Sequence, residues 1–208
     1  MRGFFISVEG SDGSGKSTQI RKIEEYLRKM KQEVLLTREP GGTTISEKIR
    51  ELLLDPSNKG MAAKTEMLLY AAARAQHVEE FIVPNLEQGK NILTDRFTDS
   101  SIAYQGFGRE MGEVVAEVNR MATGGLLPDI TFYLELPPEE GIARKKTEIN
   151  HKLDRLELEK QEFHQKVYHG YKELCHMHAQ RIMKIDASQD IETVFAQIQA
   201  GLDRLFGF

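Results

Sequence analysis

A single cysteine, Cys175, leaves this chain of 208 residues unable to close an intramolecular disulfide. Long apolar runs are missing too, since nothing approaches the ~18 residues that a membrane span requires. The N-terminus has no charged-then-apolar segment of the signal-peptide kind. Prolines number only 6, and no Pro/Gly/Ser-rich linker or internal repeat divides the chain. A single domain over 1–208 with one full core is therefore expected. An excess of one charge is lacking as well. Lys and Arg total 28 against 32 Asp and Glu, a net charge of −4, whereas a general nucleic-acid or membrane-surface binder needs a basic surplus. The expectation is a soluble, cytoplasmic protein with small-molecule partners, no nucleic acid and no membrane.

What is present begins at residue 10. Gly10-Ser11-Asp12-Gly13-Ser14-Gly15-Lys16-Ser17 fits the GxxxxGK[ST] phosphate-binding pattern without a gap and follows the apolar run Phe4 to Val8. A strand that delivers a glycine-rich turn to a helix N-terminus is the context in which this string binds polyphosphate. The glycines allow backbone geometry that a Cβ would block, so N–H groups can form an anion nest. Lys16 adds a mobile ammonium, and the Ser17 hydroxyl is placed to coordinate Mg²⁺. Ser17 to Lys29 reads as the helix, with Ile20, Ile23, Tyr26 and Leu27 on one face.

Further short apolar runs at Val34 to Thr37, Ile92 to Thr94, Ile130 to Leu136 and Ile182 to Ile185 alternate with longer helical patterns. These include Thr44 to Leu54, Glu66 to Leu86 apart from Pro84, Glu113 to Ala122, and a helix opening at Pro137-Pro138. The class is α/β, and strands apolar throughout indicate a parallel sheet covered on both faces. Such sheets bind ligands at their carboxyl ends. The unusual residues fall there: Asp12, Arg38 to Gly42, Asp95-Arg96 and Asp186 to Ser188. The polar, basic stretch from Arg144 to Lys152 buries itself poorly and reads as a lid, about 141–156.

A kinase of small phosphorylated acceptors needs a second anion site facing the first. Asp95, at a strand end, suits Mg²⁺ support, although an N-cap or ion pair explains it equally well. Arg96 offers a planar fork for phosphate. Tyr70 and Arg74 share a helix face, either as a base-stacking ring with its guanidinium or as a core tyrosine with a surface arginine. Ser100, Ser101 and Gln105 supply polar groups after the Asp95-Arg96 corner. Cys175-His176-Met177-His178 is not read as a metal site, because ligand pairs on a helix sit three or four apart.

Taken in order, VEGSDGSGKSTQ, TREPGGT, LLYAAARAQHV, TDRFTDSSIAYQG, LDRLE and IDA span nearly the whole chain and resemble the bacterial thymidylate kinase family. The resemblance implies a three-layer P-loop NTPase fold with a five-stranded parallel sheet flanked by helices and a mobile lid. It implies ATP-dependent, Mg²⁺-assisted phosphorylation of dTMP to dTDP, in a homodimer. By position, Gly10, Ser11, Gly13, Ser14, Gly15, Lys16, Ser17 and Thr18 would hold ATP phosphates, with Ser17 and Asp95 at the metal. Asp12 would serve both nucleotides, meeting the ribose of the acceptor. Glu39, Pro40, Arg50 and Arg96 would frame the acceptor phosphate. Tyr70, where phenylalanine is usual, would stack on thymine, and Arg74, Ser100, Ser101, Tyr104 and Gln105 would surround it. Arg144 and Asp186 would lie beside adenine. A phosphate loop without a basic residue between its glycines implies a lid arginine on the transferring phosphoryl. Arg155 and Arg144 are assigned that role, with Lys145, Lys146 and Lys152 as substitutes lacking the bidentate fork. Kinases of other monophosphates such as dUMP, and a regulatory NTP-binding switch, are the competing readings.

Overall fold

The computed structural model describes residues 2–146 and 154–208. Five strands, β1 (Phe5–Glu9), β2 (Val34–Arg38), β3 (Asn91–Asp95), β4 (Ile130–Glu135) and β5 (Ile182–Asp186), form one parallel sheet in the order β2-β3-β1-β4-β5. Each strand runs one residue further than its apolar stretch or ends in a charged residue. The register sets these ends side by side: Arg38 and Val8 both pair with Asp95, and Glu135 pairs with Asp186.

Successive side chains of a strand face opposite ways, and the core divides accordingly. Ile6, Val8, Leu93, Phe132 and Leu134 pack with Ile23 and Leu27 of α1 (Lys16–Lys29) and Ile198 and Leu202 of α9 (Ile191–Phe206). Asp190 caps α9, accepting from the Glu192 and Thr193 N–H groups at 3.0 and 3.1 Å. On the other face, Phe5 and Ile92 meet Val78, Ile82 and Leu86, while Tyr133 meets Tyr104 and Tyr171. That face is covered by α8 (Gln161–Met177) and the segment Val78 to Leu86, with Tyr70 of α3 (Ala63–His77) packed against the cluster and α6 (Val114–Thr123) lying beside α3. The helix α2 (Thr44–Leu54) lies beside α3, with Ser46 Oγ donating to the Ala73 carbonyl at 2.8 Å.

The long helix anticipated over 66–86 starts earlier and is interrupted. A π turn at Val78–Ile82 separates α3 from α4 (Val83–Glu87), which places Pro84 in the first turn of a new helix. A missing N–H is tolerated there. Likewise α5 (Thr98–Ser101) continues into a π turn over Ile102–Gly108, the segment that carries Tyr104 and Gln105. The helix α7 (Pro138–Lys146) opens the expected lid. The rest of that segment, 147–153, including Lys152, lies outside the described residues.

Candidate active site

The ends of β1, β2, β3 and β5, with the helix α7 that follows β4, abut one crevice of about 550 Å³, lined by residues from Asp12 to Val194. Its floor is the loop after β1, where Gly10, Gly13 and Gly15 take φ of 146°, 78° and 90°, conformations that an L side chain resists. Gly13 is constrained a second time. A Cβ there would come within 2.3 Å of the Gly141 carbonyl oxygen, and one on Gly141 would come within 2.4 Å of the Asp12 oxygen. The first turn of α7 therefore rests on the phosphate loop itself.

Lys16 is buried and donates to the carbonyls of Gly10 and Ser11, both at 3.0 Å. Burial, with the neighbouring Arg96 charge, lowers its pKa to about 8. Burial pushes the Asp12 carboxyl upward, but Arg96, Lys16 and Lys145 outweigh it and hold the group well below the usual carboxylate range. Gly13, Ser14, Ser17 and Thr18 also line the crevice. Asp95 lines it at the end of β3, and its Oδ1 is buried with no hydrogen-bond partner among the described residues. A carboxylate oxygen left in this way, in a crevice that Ser17 also lines, fits a divalent cation with oxygen ligands, held directly or through water.

Arg96 bridges the two sides. It has a left-handed φ of 72°, a conformation rare outside glycine that persists only where surrounding bonds enforce it. Its N–H donates to the Val8 carbonyl at 3.0 Å, and its carbonyl accepts from Thr94 Oγ1 at 2.9 Å. The guanidinium donates to Asp12 Oδ1 at 2.9 Å and to Ser100 Oγ and the Tyr171 hydroxyl at 3.2 Å. Those two hydroxyls in turn donate to Glu9, at 2.6 and 2.9 Å. Glu9 also accepts the Phe97 N–H at 2.7 Å. It is 0% exposed, and burial together with Asp99 raises its pKa to about 7.

The opposite wall carries Glu39, Pro40, Arg50, Tyr70, Arg74 and Gln105. Arg50 donates to the Pro40 carbonyl at 2.7 Å. Arg74, anticipated as either a base reader or a surface residue, is 2% exposed. Its Nε donates to Glu39 at 2.6 Å, Nη1 to Ser101 Oγ at 2.9 Å and to Asn119 Oδ1, and Nη2 to the Phe97 carbonyl at 3.1 Å. A guanidinium has five N–H groups, so one remains for a ligand. Glu39 is held from its other side by His77 Nδ1 at 3.0 Å. Gln105 Nε2 donates to Glu66 at 2.8 Å, while its Oε1 is buried without a partner among the described residues.

Two residues expected in the crevice stand outside its lining. Arg155, assigned to the moving phosphoryl, does not line the crevice: its Nη1 donates to Glu66 at 2.7 Å and its Nε to the Leu53 carbonyl at 2.8 Å. A buried guanidinium takes the strongest acceptor within reach, here a buried carboxylate. Its neighbours Asp154 and Leu156 face the crevice instead. Asp186 is also absent from the wall, because its carboxylate accepts from Ser188 and Gln189 within its own loop. Ala187 and Gln189 line the crevice there, and Arg144 donates to the Ala187 carbonyl at 3.1 Å. Lys145 of α7 lies 4.0 Å from Asp12 of the phosphate loop and is paired with Glu157.

A family model described as thymidylate kinase matches residues 8–198. The thymidylate kinase of Lactobacillus helveticus is 50% identical over 206 residues, covering 98% of this chain and 97% of the relative. That of Geobacillus sp. is 44% identical over the full length of both. The crystal structure of thymidylate kinase from Ehrlichia chaffeensis superposes with a TM-score of 0.79 at 32% identity, covering 98% of this chain and 99% of that one. The chain belongs to the thymidylate kinase family.

Glu9, Glu66, His77, Asn119 and Tyr171 also hold the site together, although no motif assigns them a part in it. Glu9 had a signal, being a charge at the end of an otherwise apolar strand. Tyr171 had none: it arrives from α8, 162 positions away from the carboxylate it bonds. Cys175 and the exposed His176 and His178 take no part in the site. Burial pushes the Cys175 thiol up to about 12, and no cluster of three or more His, Cys, Asp or Glu placed to hold a metal occurs among the described residues.

Proposed function

We propose that this crevice transfers the γ-phosphoryl group of ATP to dTMP, yielding ADP and dTDP. The observation that carries the reading is the 2.9 Å contact between Arg96 and Asp12, which joins an acceptor-side arginine to the phosphate loop across a single crevice. Two anionic ligands held there face each other, as direct transfer requires.

Phosphoryl transfer has a loose transition state, so the protein contributes position and charge rather than covalent chemistry. Lys16, Gly13 to Thr18 and the start of α1 hold the ATP phosphates. Arg96, Arg50 and the Glu39–Pro40 turn frame the dTMP phosphate, whose oxygen is already ionised and needs no general base. Tyr70 stacks on thymine, Gln105 Oε1 accepts its N3–H, and the spare Arg74 N–H meets O4. Asp12 orients the ribose of dTMP. Ser17 and Asp95 would hold Mg²⁺, which when bound neutralises phosphate charge. Arg144 beside Ala187 serves the adenine end. Lys145 is the lid cation for the phosphates. A homodimer through α3 and α6 accords with the exposure of Leu68, Val114 and Met121. No helix among the described residues is long and apolar enough to cross a membrane.

Titration of ADP release against each nucleoside monophosphate tests the reading. Turnover should depend on dTMP and exceed that with dUMP by roughly 10- to 200-fold, the value of one methyl group in a fitted pocket. Slow turnover indifferent to every monophosphate would replace the kinase with an NTP-binding switch.

A further inference from the structure

Behind the thymine wall lies a second charged cluster that contacts no assigned ligand. Glu66 of α3 is 0% exposed. One oxygen, Oε1, accepts from Gln105 Nε2 at 2.8 Å and from Arg109 Nε at 3.2 Å. The other, Oε2, accepts from Arg109 Nη2 at 2.9 Å and from Arg155 Nη1 at 2.7 Å. Burial alone would raise its pKa, yet the bonds from Arg109, Gln105 and Arg155 bring it below the ordinary carboxylate range. Glu66 is thus an ionised carboxylate, able only to accept.

That property decides the direction of a neighbouring amide. A glutamine side chain is nearly symmetric in shape, and either end of it can face a ligand. Against an acceptor-only carboxylate, Nε2 must point to Glu66. Oε1 is then the end left over, buried and without a partner in the wall of the crevice. We propose that Glu66 is a positioning residue for base selection: by holding the Gln105 amide in one orientation, it makes the pocket accept a base with a donor at N3 and refuse one with an acceptor there. The inference rests on the placement of thymine against Gln105. Thymine carries a donor at N3 and an acceptor at position 4, whereas 5-methylcytosine has the same shape with both polarities reversed. Opposing two acceptors in a buried site leaves both unpaired, a heavy penalty.

The experiment compares kcat/KM for dTMP and 5-methyl-dCMP in the wild type, Glu66→Gln and Glu66→Asp. Glutamine at 66 can present either polarity and frees the Gln105 amide to turn. Aspartate keeps the charge for Arg109 and Arg155 but is one methylene too short to reach the amide, which guards against a Glu66→Gln protein that does not fold. In either variant the preference for dTMP should fall by roughly tenfold or more, through KM rather than kcat. Arg109→Lys, which keeps the Glu66–Gln105 contact, should leave the preference unchanged. In the unaltered protein, the Gln105 side-chain amide protons should exchange slowly with solvent both before and after dTMP is added. An undiminished preference in a folded Glu66 variant, an equal loss in Arg109→Lys, or rapid amide exchange would each overturn the role of Glu66. A wild type that accepts both nucleotides equally would instead sink the base-pocket reading itself.

Discussion

On the floor of the crevice, the phosphate loop is shaped by backbone: three glycines at positive φ and a lysine that donates to carbonyls of its own loop. Across from it, the acceptor wall depends on buried carboxylates. Glu9 secures Ser100 and Tyr171 around Arg96, Glu39 secures Arg74, and Glu66 secures Gln105. The first construction is local and binds a group that every nucleoside triphosphate shares. The second is assembled from distant segments and, in the proposed reaction, has to discriminate among bases. Selectivity needs side chains that cannot turn, and a buried ion pair or charge-assisted hydrogen bond fixes orientation better than a neutral contact does.

The sharpest way to break this contrast is Arg74→Ala, which leaves Glu39 buried without its guanidinium. It should cost about 3–5 kcal/mol, read as a lower denaturant midpoint, together with a raised KM for dTMP. Lys16→Met on the phosphate loop should behave in the opposite way. Stability should stay within about 1.5 kcal/mol, since volume is conserved, while turnover falls roughly 10²- to 10³-fold. Equal melting losses in the two variants would show that both walls are held alike. The smallest effect concerns pH. Burial and Asp99 raise the Glu9 carboxyl from 4.5 to about 7, so between those values the folded chain keeps a proton that the unfolded chain releases. The stability contributed by that proton is complete below about 4.5 and lost as pH rises through about 7. The melting temperature of the wild type relative to Glu9→Gln should therefore decline across that window; a flat difference would place Glu9 among ordinary solvated carboxylates.

Much of this molecule is readable along the chain, because a parallel sheet with both faces covered leaves apolar strands and concentrates polar residues at their ends. The five strands fall within a residue or two of the apolar runs. Lys16, Tyr70, Arg74, Arg96 and Gln105 are legible by motif, and all line one crevice. The orientation of Arg155 is not legible. LDRLE announces an arginine at the end of the lid, but nothing near it in the chain foretells a carboxylate on α3. Arg74 illustrates the same limit, since helical spacing places it on a face with Tyr70 without revealing that four of its five N–H groups are taken by protein.

The phosphate loop could be read from sequence alone because strand, turn and helix follow one another within a few residues, and their geometry depends on which of those residues carry a Cβ. The links between Glu66 and Gln105, and between Glu66 and Arg155, span 39 and 89 positions. Only the tertiary structure decides them, because a buried charge takes its partner by proximity in space after the sheet has formed, whatever their separation along the chain.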